Sequence, residues 1–172
     1  MKLPDFPWDA LVPYKQRASE HPEGIVDLSI GTPVDATPEI MQDALIATSN
    51  APGYPTTIGT PELRDAMRGW LGKRLKISDA TDQSKLDVLP TIGSKELVAW
   101  LPTILQAKTV LYPKVAYPTY LVGSMIHQSE NIAVEIDATT WPKSDLAWIN
   151  SPSNPTGRVH SEAELEAVIA YA

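Results

Sequence analysis

Apolar residues along this chain fall in short runs separated by polar turns rich in Pro and Gly. Short apolar runs bounded by turn residues read as buried strands. Ile25–Ile30, Leu86–Pro90, Thr109–Tyr112, Asn131–Ile136 and Leu146–Ile149 have that pattern. Helical spacing predicts a helix from Asp9 to about Glu20, ended by Pro22-Glu23-Gly24. Thr37-Pro38-Glu39 and Thr60-Pro61-Glu62 carry one start signal, Thr as N-cap and Pro at the first helical position. The first of these helices reaches about Thr48. The second places Leu63, Ala66, Met67, Trp70 and Leu71 on one face and Arg64, Asp65, Arg68 and Lys73 on the other. Further helices are predicted over residues 94–106, shortened or kinked by Pro102, from Tyr117 to about Gln128, and from Ser161, which forms a capping box with Glu164.

From about residue 86 the order is strand, helix, strand, helix, strand, strand, helix. Such alternation predicts an α/β fold with a mostly parallel sheet flanked by helices. Ligand loops of such a sheet gather at the carboxyl ends of its strands.

Composition narrows the function classes. With 172 residues, the chain is long enough for a real core. The formal net charge of −7, from 14 Lys plus Arg against 21 Asp plus Glu, argues against nucleic-acid binding. Cysteine is absent, which removes thiol catalysis, disulfides and Cys-ligated zinc. His21, His127 and His160 lie far apart and show no metal-ligand spacing. No apolar run approaches a membrane span, and the N-terminus lacks the apolar core of a signal peptide, so a cytoplasmic location is expected.

Three loops carry candidate chemistry. Gly93-Ser94-Lys95, at a helix start, offers backbone N–H groups and a hydroxyl to an anion such as phosphate. Tyr117 supplies a ring that can stack on a flat ligand. Asn154 lies in Asn150-Ser151-Pro152-Ser153-Asn154-Pro155-Thr156-Gly157-Arg158, and its amide can donate to an oxygen on that ligand. Together they suit a planar cofactor with a phosphate arm. Each has a plainer reading too: a helix cap, a packing residue, a strand-to-helix turn. Asn150 and Arg158 are given only strand-end and loop duties.

Gly31-Thr32-Pro33, Tyr54 followed by Gly59-Thr60-Pro61-Glu62-Leu63-Arg64, Gly93-Ser94-Lys95, Tyr117-Pro118 and Asn154-Pro155-Thr156-Gly157 occur in the order and approximate spacing of class I/II aminotransferases. The chain resembles these pyridoxal-phosphate enzymes of fold type I across residues 28–159. Pro4–Asp9, Leu28–Val34 and Thr91–Pro102 resemble succinyldiaminopimelate aminotransferases of the actinobacterial type. The resemblance implies an N-terminal arm and small-domain segment over residues 1–50 and the first part of the cofactor-binding large domain over 51–172.

It also implies roles. Gly93, Ser94 and Lys95 would hold the phosphate, Tyr117 would stack on the pyridine ring, and Asn154 would donate to the phenolic oxygen and keep it ionised. Gly31 would lie by the substrate carboxylate, with Asn154 near substrate as well and Tyr14 a weaker candidate. Tyr54 would reach the phosphate of a neighbouring subunit in a homodimer. The implied reaction moves an amino group between an amino acid and a 2-keto acid, with N-succinyl-LL-2,6-diaminopimelate and glutamate as the subfamily's pair. A lyase or synthase of the same fold, or a non-catalytic phosphate-binding domain, are the alternatives. The family's Schiff-base Lys, ring-nitrogen Asp, second Tyr and carboxylate-binding Arg are expected beyond Ala172, so no catalytic residue is assigned in this chain. Lys95 matches a phosphate-side position, and Lys108, Lys114 and Lys143 match no motif.

Overall fold

A computed structural model of the chain describes every residue except Met1, Ser78, Ala80, Thr81 and Gln83. In chain order the elements are α1 (Val12–Ser19), α2 (Glu39–Thr48), α3 (Pro61–Leu75), α4 (Ser94–Ile104), β1 (Thr109–Pro113), α5 (Thr119–His127), β2 (Glu130–Val134), β3 (Leu146–Ala147) and α6 (Glu162–Tyr171). The chain forms two compact units. One is Phe6–Pro90 and the other is Thr91–Ala172 with the N-terminal end.

The second unit is built on β1, whose Val110 and Leu111 are completely buried. Such residues suit a central strand, covered on both faces and paired on both edges. The sheet order is β2-β1-β3, all parallel, with Leu111 opposite Ile132 on one side and Ala147 on the other. Asp145 ties the starts of β1 and β3 together: its carboxylate accepts from the N–H groups of Lys108 (2.8 Å) and Thr109 (2.9 Å). Trp148 N–H donates to Leu111 O at 2.9 Å and carries the pairing one residue past β3.

Helix α4 lies against α5 at close quarters. A Cβ placed on Gly123 would fall 2.8 Å from Ala99 O and 3.0 Å from Ala99 Cα. Only a residue without a side chain admits that approach. Two buried hydroxyls nearby are paired, while Thr103 Oγ1 of α4 is buried with no partner among the described residues. Ser124 Oγ donates to Leu121 O and meets Asn131 Oδ1, and Ser129 Oγ donates to Ala107 O at 2.7 Å. The link from β2 to β3 contains a 3-10 turn, Ala138–Thr140, capped by Asp137. Helix α6 starts on the capping box of Ser161 and Glu164, and its Tyr171 hydroxyl donates to Pro142 O at 2.7 Å.

In the Phe6–Pro90 unit, Thr60 caps α3 as predicted, accepting from Leu63 N–H at 3.2 Å. Gly59 before it has φ +78, and a Cβ there would meet Pro90 Cγ at 2.6 Å, so this turn needs glycine. The packed face of α3 is rotated from the predicted one. Arg64, Met67, Arg68 and Leu71 turn inward, Arg68 is 7% exposed, and Trp70 is 60% exposed. The cause is ionic: Arg64 donates to Asp87 and to Val88 O, and Arg68 bonds Asp65 and Asp87. Val88 N–H and then Arg64 hold the Asp87 carboxyl below the usual range.

Two predicted strands do not form. Ile25–Ile30 is irregular, with no strand paired to it among the described residues, and Leu28 is 88% exposed. Strand residues without a neighbouring strand gain neither ladder nor packing. Polar contacts hold this stretch instead: Asp27 pairs with Lys15 at 2.7 Å and accepts from Ser29 N–H, which places its carboxyl well below the usual range. Leu86–Pro90 likewise lacks a partner strand and is held by the α3 arginines. Helix α2 starts one residue after the predicted point; Pro38 is its N-cap and no side chain caps it. Thr37 contributes its carbonyl instead, which accepts from Gln42 Nε2 at 2.6 Å. Pro102 lies buried in the last turn of α4, which ends at Ile104. Among the described residues no helix is long and apolar enough to cross a membrane, and no His/Cys/Asp/Glu group has metal-binding geometry.

The two helix glycines should respond oppositely to the same change. Gly123→Ala is expected to destabilise the chain by about 1–3 kcal/mol, because the methyl meets backbone that cannot turn aside. Gly69→Ala, in α3 with nothing within 4 Å of its new methyl, should stabilise by about 0.5–1 kcal/mol. Urea titrations of both variants check this; equal effects would contradict the packing described.

Candidate functional site

The close contact of α4 and α5 has a consequence at one end of the sheet. It places the first turn of α4 beside the start of α5 and the loop leaving β3. Between them lies a cleft of about 400 Å³ lined by Ser94, Lys95, Val98, Tyr117, Tyr120, Asn150, Pro152 and Asn154. A volume of that order suits a small organic ligand. Ser94, Lys95, Tyr117 and Asn154, named from sequence, are therefore brought together. Gly93 precedes these residues without lining the cleft, and its loop is not the exit of a strand, since 86–90 forms none.

Each wall has a local cause. Gly93 is the N-cap of α4 and has no side chain to cap it. No side chain caps that first turn, and the helix dipole there attracts an anion. The Tyr117 ring is braced edge-on by Tyr120, with ring centres 6.0 Å apart, and Tyr120 stacks on Trp148 at 5.0 Å. Burial and the neighbouring Tyr117 push the Tyr120 hydroxyl pKa upward, so it stays protonated at neutral pH. Asn154 N–H donates to Asn150 Oδ1 at 2.8 Å. Beyond it the loop closes on itself, with Ser153 N–H on Arg158 O (2.8 Å) and Gly157 N–H on Ser153 O (2.7 Å). The Ser151–Pro152 and Asn154–Pro155 peptide bonds are cis.

Tyr120 is not singled out by the sequence, and Asn150 is given only a strand-end duty there, yet both line the cleft. Tyr120 stands three residues after Tyr117, one helical turn on, and that spacing was a usable signal. Asn150 stands four residues before Asn154, and nothing in a loop pattern distinguishes such a contact from a strand end. Gly31 and Tyr54 belong to the Phe6–Pro90 unit, in loops, with Tyr54 fully exposed. Tyr14 is exposed in α1 of the same unit.

A second cavity, of about 170 Å³, shares Asn150 with the first and is walled by Trp141, Trp148, Arg158 and His160 among others. Trp148 Nε1 and His160 Nδ1 are buried without hydrogen-bond partners among the described residues.

The fold and this cleft define a class of protein. The model of the class I and II aminotransferase family matches residues 23–172, and the chain belongs to that family. It is 47% identical to 4-dedimethylamino-4-oxo-anhydrotetracycline transaminase OxyQ of Streptomyces rimosus, over 99% of this chain and 48% of that protein. It is also 47% identical to the probable aminotransferase Rv1178 of Mycobacterium tuberculosis, over 99% of this chain and 41% of that protein. The chain thus spans about half the length of these relatives. Among solved structures, substrate-bound BacF of Bacillus subtilis superposes with a TM-score of 0.83 at 26% identity, covering 99% of this chain and 47% of that one. A probable N-succinyldiaminopimelate aminotransferase of Thermus thermophilus gives 0.76 at 26% identity, covering 96% and 48%. The α/β architecture is that of fold type I aminotransferases.

Class I and II aminotransferases use pyridoxal phosphate. The donor set fits that group: an uncapped helix start with a hydroxyl and an ammonium for a phosphate, a braced ring for a pyridine, and an amide for a ring oxygen.

The far side of the Asn154 loop is anchored by charge. Arg158 bonds Glu164 at 2.6 Å, and Glu164 also accepts from Ser161 N–H at 2.8 Å. Arg158 first, and the Ser161 N–H next, bring the Glu164 carboxyl from 4.5 to about 2. A folded value below the unfolded one contributes stability above pH 4.5 that is lost as pH falls toward about 2. The Tm of the parent chain should therefore drop more steeply across that window than the Tm of Glu164→Gln. Parallel profiles would contradict the anchor.

Proposed function

We propose that the cleft between α4, α5 and the Asn154 loop holds pyridoxal 5′-phosphate for transfer of an amino group between an amino acid and a 2-keto acid. The observation that carries this reading is the convergence of Ser94, Lys95, Tyr117 and Asn154 on one cleft of suitable size. Gly93, Ser94 and Lys95 take the phosphate at the α4 N-terminus, Tyr117 covers the ring, and Asn154 donates to its phenolic oxygen. Tyr120 keeps the Tyr117 ring upright. When bound, the cofactor supplies an electron sink that acidifies the substrate Cα–H. This chain's residues bind and orient; none of its lysines matches a motif for moving that proton. Lys95 sits on the phosphate side. Turnover accordingly belongs to a polypeptide that joins this chain to such a lysine.

Several finer assignments extend the same reading. Residues 1–50 form an arm and small-domain segment, and 51–172 the first part of the large domain. Gly31 serves the substrate carboxylate and Tyr54 the phosphate of a second subunit, in a cytoplasmic homodimer. The substrate pair is N-succinyl-LL-2,6-diaminopimelate with glutamate; the likeness to the probable N-succinyldiaminopimelate aminotransferase of Thermus thermophilus supports the first of the two. The 47% identity to OxyQ favours a second substrate reading, amino transfer to a ring ketone. Activity of the joined polypeptide on one substrate and not the other separates the two.

At stoichiometric cofactor, the 172-residue chain is expected to bind pyridoxal 5′-phosphate saturably, without turnover of glutamate and without a borohydride-trapped adduct on Lys95. Asn154→Ala and Ser94→Ala should each weaken binding about tenfold, the size of one hydrogen bond to a charged group. A Lys95 adduct, or two variants that bind like the parent, would contradict this site.

A further inference from the structure

We infer that Asn150 is a positioning residue for the Asn154 side chain, acting through the Asn154 backbone. The inference rests on the reading that Asn154 faces the cofactor.

The bond from Asn154 N–H to Asn150 Oδ1, 2.8 Å long, is the one hydrogen bond Asn154 makes among the described residues. Because an N–H can only donate, the bond also fixes which end of the Asn150 amide points at the loop. The loop's other bonds do not locate Asn154 on the sheet. Ser153 to Arg158 and Gly157 to Ser153 close the loop upon itself. His160 N–H on Ser151 Oγ, at 3.0 Å, joins its two ends. Asn150 differs in standing two residues after Trp148, whose N–H is bonded to Leu111 O on the buried central strand. It is half-buried and forms a wall of both cavities. Position therefore passes from Leu111 through Trp148 and Asn150 to Asn154. Without the Asn150 oxygen the exposed loop keeps its own turn but loses its registration on the sheet. An amide that must meet one ring oxygen needs that registration, since misplacement by about 1 Å at a reacting centre costs on the order of 100-fold.

The test is a double-mutant cycle on this chain, Asn150→Ala and Asn154→Ala singly and together. Its readouts are pyridoxal 5′-phosphate affinity by equilibrium dialysis and hydrogen exchange at the Asn154 amide by NMR. Asn150→Ala should weaken binding about tenfold in the parent and add less than about twofold to Asn154→Ala, because it acts through that residue. Exchange at the Asn154 amide should quicken about tenfold in Asn150→Ala and return to the parent rate in Asn150→Asp, which keeps the acceptor oxygen. Losses that multiply in the double variant would make Asn150 an independent contact and overturn the inference. So would parent-like binding by Asn150→Ala beside a weakened Asn154→Ala. If Asn154→Ala itself binds like the parent, the cofactor reading fails and the inference with it. Should Asn150→Ala not fold, fast exchange in Asn150→Asp would still overturn the inference.

Discussion

The site depends on one steric constraint, the approach of α4 to α5 at Gly123. Helix axes come this near only where a side chain is missing, and here the missing side chain faces the Ala99 backbone. That approach sets where the α4 N-terminus lies relative to Tyr117, and so whether a phosphate at the one and a ring against the other can belong to a single molecule. Everything else at the cleft adjusts around this fixed pair. Tyr120 leans on Trp148 and braces Tyr117, while the sheet beneath holds the loop that carries Asn154.

The loop shows two kinds of fastening, each with its own physics. Arg158 and Glu164 attach it to α6 by charge at an exposed position, so that contact weakens with acid and with salt. Asn150 attaches it to the sheet by a neutral hydrogen bond, which carries no net charge for acid or salt to remove. An exposed tether can fix roughly where a loop lies. A directional bond to the residue proposed to meet the ligand can fix its register. The short connection from Leu111 to Asn154 lets the buried centre of a strand serve a residue that is itself exposed.

Much of the Thr91–Ala172 unit was legible from pattern because its signals are local. Ser161 with Glu164 is a capping box in both sequence and structure, and Thr109–Tyr112 is an apolar run that became the central strand. The failures are non-local. Ile25–Ile30 and Leu86–Pro90 have strand composition, but a strand needs a neighbour and none is paired to them here. The face of α3 was misread because apolar spacing was weighed and the reach of Arg64 and Arg68 to Asp87 was not. At the cleft, Ser94, Lys95, Tyr117 and Asn154 could be named because each stands in a short motif. Asn150 stands in the same motif as Asn154 but reads as a strand end, since its part comes from a hydrogen bond that composition does not reveal.

One cleft of the Thr91–Ala172 unit is proposed to receive both the phosphate and the ring of the cofactor. An amide NMR titration of the isotope-labelled chain with pyridoxal 5′-phosphate tests it most directly. The expected result is a saturable set of shifts confined to Ser94–Glu96, to Tyr117 and its neighbours, and to Asn150–Asn154. Shifts centred on Trp141 and His160, or scattered over surface lysines without saturation, would contradict it.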